Sequence, residues 1–206
     1  MSQTPPIEPP FFARTRLPTE HGDFDVRVLV DAEGREHVAL SVGELAGAED
    51  VLVRMHSECL TSEVLGSLKC DCKAQLDAAL ERIQAAGRGL VIYLRQEGRG
   101  IGLGNKIRAY ALQEAGADTV DANRLLGFED DLRSYDVAVQ VIAALGIRSV
   151  RLLTNNPLKI EALAEAGVKV SGREAVFTGL NPVNQNYLET KRVRMGHLYG
   201  RVKLSA

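Results

Sequence analysis

The sequence predicts a single α/β domain in which helices flank a mixed, mostly parallel sheet, with an antiparallel strand region at its N-terminal side. Two observations support this prediction. Short apolar runs alternate with segments of helical periodicity along most of the 206 residues, which is typical of strand–helix–strand crossover units. Two Val-rich runs near the N-terminus also flank a turn-like stretch at residues 31–34, and this pattern indicates an antiparallel hairpin.

The N-terminal part begins with a proline-rich segment, residues 1–10. We therefore expect residues 1–14 to be a disordered lead-in and residues 15–206 to form one folded domain. The hairpin strands are predicted at 24–30 and 37–42, and a third strand at 51–55.

The remaining elements follow from apolar periodicity and from glycines that end helices. Apolar runs predict strands at 89–94, 149–153 and 168–170. Helical spacing predicts helices at 74–86, 105–115, 134–145 and 157–166, the last with Pro157 in its first turn.

Composition limits the class of protein. The net charge is -2, so the chain lacks the basic excess that a general nucleic-acid binder needs, although a small anionic substrate requires only a local cluster of Arg and Lys. No apolar run approaches 18 residues and no charged-then-apolar leader is present. We therefore expect a cytoplasmic protein without a membrane or nucleic-acid partner.

All three cysteines lie in one stretch with the spacing C-x10-C-x-C: Cys59, Cys70 and Cys72. Three thiolates can bind Zn²⁺ and leave the fourth tetrahedral position open, as catalytic zinc sites do. The pattern thus favours a catalytic zinc ion that carries a hydrolytic water. Three alternatives remain: free buried cysteines, a Cys59–Cys70 disulfide, and a structural site closed by a fourth ligand such as His56.

Three loops are candidates for ligand binding. Residues 95–108 combine four glycines with basic side chains directly after a predicted buried strand, a composition suited to phosphate but also to a flexible solvated turn. Residues 127–133 and 154–157 each precede a predicted helix. For these two loops the alternative is helix capping, by Asp130 or Asp131 in the first case, with Arg133 on a solvated face.

Motifs along nearly the whole chain after residue 15 resemble the GTP cyclohydrolase II family. They are R-M-H-S-E-C-L-T at 54–61, S-L-K-C-D-C at 67–72, R-Q-E-G-R-G-I-G-L at 95–103, N-K-I-R-A-Y at 105–110, D-A-N at 121–123, L-G-F at 126–128, D-x-R at 131–133, L-L-T-N-N-P at 152–157, N-P-x-N-x-x-Y-L-x-T-K at 181–191 and M-G-H-L at 195–198.

The resemblance implies a homodimeric hydrolase of riboflavin biosynthesis, dependent on Zn²⁺ (one ion per subunit) and on Mg²⁺ bound to the substrate phosphates. Its substrate would be GTP, and its products formate, pyrophosphate and 2,5-diamino-6-(5-phospho-ribosylamino)pyrimidin-4-one, in the first committed step of the pathway. The implied zinc ligands are Cys59, Cys70 and Cys72. The implied GTP contacts are Arg54, Met55, His56, Ser57, Glu58, Gln75, Glu97, Gly98, Arg99, Thr119, Thr154 and Lys159.

The resemblance also implies three catalytic residues: Asp131 as proton acceptor, Arg133 as nucleophile, and Tyr110 in ring opening. Binding to zinc can lower the pKa of water from about 15.7 to about 7, which suits attack at C8 of guanine. A guanidinium has a pKa above about 12 and is almost never deprotonated. A charge-stabilising Arg133, with water as the attacker, is therefore the alternative to a covalent nucleophile.

Overall fold

The computed structural model describes residues 10–199, which form a seven-stranded sheet with helices on both faces. The strands are β1 (Phe11–Thr19), β2 (Gly22–Val30), β3 (Glu36–Val42), β4 (Val51–Ser57), β5 (Gly89–Leu94), β6 (Val150–Leu153) and β7 (Val170–Glu174). The helices are α1 (Leu60–Glu63), α2 (Cys72–Ala86), α3 (Gly102–Glu114), α4 (Asp121–Leu125), α5 (Asp136–Ala144), α6 (Pro157–Glu165) and α7 (Gln185–Arg194), and a 3-10 turn spans Glu97–Gly100.

The sheet order is β1-β2-β3-β5-β4-β6-β7. The pairs β1–β2, β2–β3 and β3–β5 are antiparallel, whereas β4 runs parallel to both β5 and β6, and β6 runs parallel to β7. The predicted α/β class is therefore confirmed, with a parallel core and an antiparallel N-terminal region.

Side chains that alternate along β5 enter two apolar layers. Leu90 and Ile92 belong to a core on one face that includes residues of α5 and α6, while Val91 joins Ala79 and Ile83 of α2 on the other face. Because helices cover both faces, β5 at the centre of the sheet is a continuous apolar run, GLVIYL. The carboxyl ends of β4, β5 and β6 consequently meet at one edge, where open α/β sheets bind ligands.

The N-terminal boundary differs from the prediction. The expected lead-in of residues 1–14 overlaps β1, because residues 11–14 already pair with β2, while residues 1–9 lie outside the described residues. Phe11 is buried, and Arg14 forms a two-pronged ion pair with Asp25 across the strands. These contacts stabilise a polar edge strand that lacks the apolar run of a buried one.

Other boundaries also moved. The last strand lies at 170–174 rather than 168–170, and α1, α4 and α7 were not predicted. Within residues 10–199, no helix combines the length and the apolar character that a membrane crossing requires.

Candidate active site

One pocket opens beyond the carboxyl ends of β4, β5 and β6. Most of the site residues proposed from the sequence line it: Arg54, His56, Ser57, Glu58, Cys59, Cys70, Cys72, Gln75, Glu97, Gly98, Arg99, Tyr110, Thr119, Arg133, Thr154 and Lys159. Met55 and Asp131 are not among its lining residues. The side chain of Met55 lies in the apolar core, and Asp131 accepts a hydrogen bond from Arg133 without lining the pocket itself. Segments up to 143 residues apart in sequence thus converge on one cavity, from Arg54 to His197.

The sulfur atoms of Cys59, Cys70 and Cys72 form what we call the trithiolate cluster, in which all three lie within 4.8 Å of one another. Cys59 and Cys70 are 3.6 Å apart, too far for a disulfide, whose sulfur atoms are about 2.05 Å apart. Three thiolates on a tetrahedral Zn²⁺ would be about 3.8 Å apart, given Zn–S bonds near 2.3 Å. The three residues therefore fit a zinc ion.

Local hydrogen bonds bring the distant cysteines together. The carbonyl of Cys59 accepts from the backbone N–H groups of Ser62 and Glu63, which forms the short α1. The Ser62 hydroxyl then accepts from the N–H of Lys73, and this bond holds the start of α2 against α1 at 3.1 Å. Cys72 is the first residue of α2, so the turn between α1 and α2 brings the sulfur atoms of Cys70 and Cys72 close to that of Cys59.

His56 does not close this site as a fourth ligand in the described residues. Its Nε2 atom lies 2.6 Å from Glu63 Oε1, and the second Glu63 oxygen accepts from the Tyr93 hydroxyl at 2.5 Å. Burial lowers the pKa of His56 despite the hydrogen bond to Glu63, which keeps the ring neutral at pH 7. Within the described residues, the group that could hold a metal ion comprises the three cysteines, and the structural-zinc alternative with His56 is not supported.

Lys106 provides positive charge next to the trithiolate cluster. Its Nζ atom lies 3.1 Å from Cys59 Sγ, 2.9 Å from Thr61 Oγ1 and 2.8 Å from Glu97 Oε1. Burial alone would lower the pKa of Lys106, but the hydrogen bond to Glu97 helps to raise it above its ordinary value. Hydrogen bonds from the neighbouring cysteines, together with the charge of Lys106, lower the pKa of Cys59 and favour its thiolate.

Glu97 connects the metal-binding turn to the glycine-rich loop. One carboxylate oxygen accepts from Lys106 and from the N–H of Gly98, and the other accepts from the N–H of Leu60 at 2.7 Å. Both oxygens are thus engaged by the protein itself. This arrangement fixes Cys59 relative to the loop that carries Arg99.

The loop adopts a conformation that its glycines permit. Arg99 has a φ of 61°, which is uncommon for a residue with a side chain, and Gly98 and Gly100 beside it have φ values of 63° and 92°. A Cβ atom at Gly100 would lie 3.0 Å from the carbonyl oxygen of Leu132, so this position requires glycine for close contact with the next loop. The contact brings residues 130–133 next to Arg99.

Three cations of the pocket have no carboxylate within 4 Å among residues 10–199, and we call them the cationic cluster: Arg54, Arg99 and Lys159. Arg54 donates to the Leu153 carbonyl at 2.9 Å and to Gln75 at 2.6 Å. Arg99 donates to Thr119 at 2.9 Å.

Lys159 completes this cluster and donates to the carbonyl of Met55 at 2.6 Å. Burial lowers the pKa of Lys159 well below its usual value, and the neighbouring charges of Arg54 and Arg133 lower it further. Buried cations without acidic partners are costly, so this part of the pocket favours an anionic ligand.

Asp131 and Arg133 form a bidentate ion pair at the edge of the pocket. Arg133 donates from Nε to Oδ1 at 2.8 Å and from Nη2 to Oδ2 at 2.5 Å. The side chain of Arg133 is only 12% exposed, so it does not lie on a solvated face. Asp130 pairs with Arg124, and α5 has no side-chain cap. The capping alternative for this loop is therefore wrong.

Tyr110 lies on α3 between two lysines. The ammonium groups of Lys69 and Lys106 are 4.9 Å and 5.7 Å from its ring centre. Burial raises the pKa of Tyr110 to about 12, so its hydroxyl keeps the proton at neutral pH. The side chain can therefore donate a hydrogen bond or a proton into the pocket.

Several lining residues were present in the sequence motifs but were not assigned to the site: Lys106, Asn123, Asn155, Asn156, Tyr187, Lys191, Met195 and His197. For Asn156 the capping interpretation holds, since its Oδ1 atom accepts from the N–H of Leu158 at the start of α6. Lys106 could have been found from its place in helical register with Tyr110, four residues later.

Comparison with known proteins gives a consistent assignment. The GTP cyclohydrolase II family model matches residues 11–175, which is most of the chain. The chain belongs to the GTP cyclohydrolase II family. Similar proteins named GTP cyclohydrolase-2 include one from Azotobacter vinelandii (54% identical over 191 residues, 92% of both chains), one from Teredinibacter turnerae (55% over 185 residues, 89% of this chain and 93% of that one) and one from Acinetobacter baumannii (54% over 196 residues, 94% and 97%).

A solved two-domain 3,4-dihydroxy-2-butanone 4-phosphate synthase from A. baumannii superposes on 82% of this chain and 40% of that chain, with a TM-score of 0.46 and 20% identity. A likeness of this size carries no conclusion about function. As a member of the GTP cyclohydrolase II family, the protein is an enzyme of the hydrolase class. The trithiolate cluster, the cationic cluster and Arg133 all line the same pocket. Asp131 contacts Arg133 but is not a lining residue.

Proposed function

We propose that the protein hydrolyses GTP to 2,5-diamino-6-(5-phospho-ribosylamino)pyrimidin-4-one, formate and pyrophosphate, the first committed step of riboflavin biosynthesis. The observation that carries this proposal is one pocket that contains both a trithiolate cluster able to hold a metal ion and a cationic cluster whose members have no acidic partner within residues 10–199. GTP has a ring to be opened by a metal-assisted hydrolysis and a triphosphate to be bound by cations. Family membership supports the same substrate.

Cys59, Cys70 and Cys72 would hold one Zn²⁺ per subunit. When bound, the ion would supply a water activated for attack on C8 of guanine. Lys106 would keep Cys59 ionised and oriented through its 3.1 Å contact. Tyr110, protonated at neutral pH, would donate to a ring nitrogen as the imidazole ring opens.

The cationic cluster would bind the triphosphate. Arg54, Arg99 and Lys159 are held by carbonyl, amide and hydroxyl oxygens, so their positive charge is available to phosphate oxygens. Mg²⁺ would bind the β- and γ-phosphates and stabilise the leaving pyrophosphate. The proposed contacts of His56, Ser57, Glu58, Gln75, Gly98, Thr119 and Thr154 with GTP are supported by their place in the pocket wall.

Asp131 and Arg133 would act at the α-phosphate. Burial alone would lower the pKa of Arg133, but its hydrogen bonds to Asp131 raise it above the ordinary arginine value. An arginine that holds its proton this firmly stabilises developing negative charge more readily than it attacks phosphorus. We therefore propose a charge-stabilising Arg133 oriented by Asp131, with water as the attacking group.

A homodimer is supported by exposed apolar surface. Val64, Leu65 and Leu68 are 74%, 69% and 60% exposed in the turn between α1 and α2, and exposed apolar patches commonly mark protein interfaces. Light scattering on the purified protein measures the assembly, and a monomeric mass at micromolar concentration would contradict it.

The decisive experiment is incubation of the purified, zinc-loaded protein with GTP and Mg²⁺, followed by assay of formate, pyrophosphate and the pyrimidine product. We expect equimolar formate and pyrophosphate. Release of pyrophosphate with an intact formamide, or recovery of unchanged GTP, would contradict the proposal. Omission of Mg²⁺ should suppress the reaction, and a chelator that removes zinc should abolish formate.

A further inference from the structure

The C-terminal segment, residues 181–199, lies beyond the family-model match, which ends at residue 175, and yet it forms part of the pocket wall. Four of its side chains line the cavity: Tyr187, Lys191, Met195 and His197. Most of them lie on or just after α7, a helix whose sequence is polar on most positions. None of these residues belongs to the clusters described above.

Several contacts fasten the C-terminal segment to the body. The Asn181 side chain donates to the carbonyl of Leu68, two residues before Cys70, and the N–H of Leu198 donates to the carbonyl of Asn155 at 2.8 Å. At the end of α7, Arg194 forms ion pairs with Asp118 and Asp121, on either side of Thr119. The segment therefore touches both the metal-binding turn and the loops of the cationic cluster.

Lys191 is the charged group that this segment brings into the pocket. Its ammonium lies 4.3 Å from the ring centre of Tyr187 and 3.5 Å from Asp71 Oδ1, and its side chain is 13% exposed. Charge-assisted N–H···O bonds are normally about 2.7–2.9 Å long, so the contact with Asp71 is long. Asp71 also accepts a hydrogen bond from Gln75.

The charge of Lys191 is retained inside the protein. Burial would lower the pKa of Lys191, but Tyr187, Asp71 and Cys72 raise it above its ordinary value. The surroundings thus favour the charged form of Lys191, whose carboxylate partner lies 3.5 Å away and also accepts a hydrogen bond from Gln75. Lys191 lines the pocket together with His197, and it contacts Asp71, the residue between Cys70 and Cys72 in the sequence.

We propose that the C-terminal segment is a substrate-binding wall in which Lys191 contacts the phosphate of the nucleotide nearest to the base. This inference rests on the proposed function, because it assumes a guanine nucleotide that extends from the trithiolate cluster to the cationic cluster. Lys191 acts in it as a binding residue and leaves the zinc site unchanged.

The test compares Lys191→Met, Lys191→Arg and the control Arg192→Met in the full-length, zinc-loaded protein. Arg192 is the neighbouring cation of α7, pairs with Glu189 and does not line the pocket. Affinities for an α,β-methylene analogue of GTP and for guanosine are measured by calorimetry at one salt concentration. We expect Lys191→Met to lower the affinity for the analogue by about tenfold or more and the affinity for guanosine by less than about twofold.

Lys191→Arg should retain most of the affinity because it keeps the charge, and Arg192→Met should bind both ligands as the unaltered protein does. If Lys191→Met loses affinity equally for the analogue and for guanosine, or loses bound zinc, the role of Lys191 is structural and the inference is overturned. Unchanged affinity for the analogue would also overturn it while leaving the proposed function intact. If the unaltered protein binds neither ligand, the proposed function itself fails.

Discussion

The two ends of the pocket differ in how their charges are satisfied. At the trithiolate cluster, three sulfur atoms lie within 4.8 Å of one another, and Lys106, which contacts Cys59, is also paired with Glu97. At the cationic cluster, three basic side chains contact neutral oxygen atoms, and no carboxylate of the described part of the chain lies within 4 Å of them. One end thus gathers sulfur ligands around a lysine that is already paired, and the other gathers basic side chains that lack an acidic partner within residues 10–199.

This difference supports the ligand proposed for each end. Three clustered sulfur atoms favour a metal ion, since a divalent ion stabilises the thiolate forms of Cys70 and Cys72, whose pKa values are otherwise raised by hydrogen bonding to the neighbouring cysteines and by burial. The cationic cluster favours an anion with several oxygens, because guanidinium and ammonium donors are directed into the cavity without acceptors of opposite charge. A nucleotide triphosphate bound with its base toward the metal satisfies both ends at once.

Removing one sulfur should have the largest effect and should act on one end only. We expect Cys70→Ser to lose zinc and to reduce formate release by about 10³-fold or more, because metal-ion catalysis supplies several kcal/mol of barrier lowering. Affinity for the GTP analogue should fall much less, since the cationic cluster is intact. Zinc is measured by atomic absorption and formate by enzymatic assay, with Ser67→Ala, outside the pocket lining, as control. Full formate release from Cys70→Ser would mean that zinc has no catalytic part.

The next largest effect is expected from Arg133→Gln, which removes the arginine of the Asp131–Arg133 ion pair. We expect pyrophosphate release to fall by about 10²–10³-fold, because a preorganised donor to developing charge is lost, while zinc content stays at one ion per subunit. Brief incubation with α-labelled GTP, followed by peptide mapping, tests the covalent alternative in the unaltered protein. Label on Arg133 would contradict the charge-stabilising role.

A smaller effect is expected from the cation that serves the trithiolate cluster. Lys106→Met should weaken zinc binding by about 10–100-fold, the usual cost of losing a group that orients a metal ligand. Lys69→Met is the matched control, because Lys69 also lies near the Tyr110 ring but pairs with the exposed Glu114 and not with a cysteine. Zinc affinity is measured by competition with a chromophoric chelator. Equal zinc affinity of the two variants would remove Lys106 from the metal site.

The two ends are unequally predictable from the sequence. The cysteines occur together within 14 residues, so their spacing alone indicates a metal site. The cationic cluster draws Arg54, Arg99 and Lys159 from three separate segments, and the local patterns there are equally compatible with a solvated turn or a helix cap. Only the resemblance to a family groups them.

The elements that escaped prediction lack the signal on which prediction depends. In α7 the buried apolar residue is Leu188, and polar side chains fill most other positions, so no apolar stripe marks it as a helix. In β1, the polar residues Arg14, Thr15 and Arg16 interrupt the apolar residues, and cross-strand pairs such as Arg14 with Asp25 stabilise the strand. Both elements form because tertiary contacts override a weak local pattern.

The smallest predicted effect concerns His197, which reports the positive charge at its end of the pocket. Burial, assisted by the charges of Lys191 and Arg133, lowers the pKa of His197 to about 2. An unfolded histidine has a pKa near 6.5, so below that pH His197 binds a proton in the unfolded chain but not in the folded protein. The free energy of unfolding should therefore fall as the pH falls below about 6.5, by about 1.4 kcal/mol at pH 5.5 from this residue alone.

His197→Gln removes that contribution and leaves His56 in place in both proteins, so the effect of His56 cancels in the comparison. Urea unfolding at pH 7.0 and pH 5.5 should show a smaller loss of stability for His197→Gln than for the unaltered protein. Saturating pyrophosphate should make the pH dependence of stability more similar in the two proteins, because an anion bound at the cationic cluster offsets the charges that lower the pKa of His197. The same pH dependence in both proteins would mean that His197 is not held neutral by its surroundings, and the contrast between the two ends would lose its electrostatic basis.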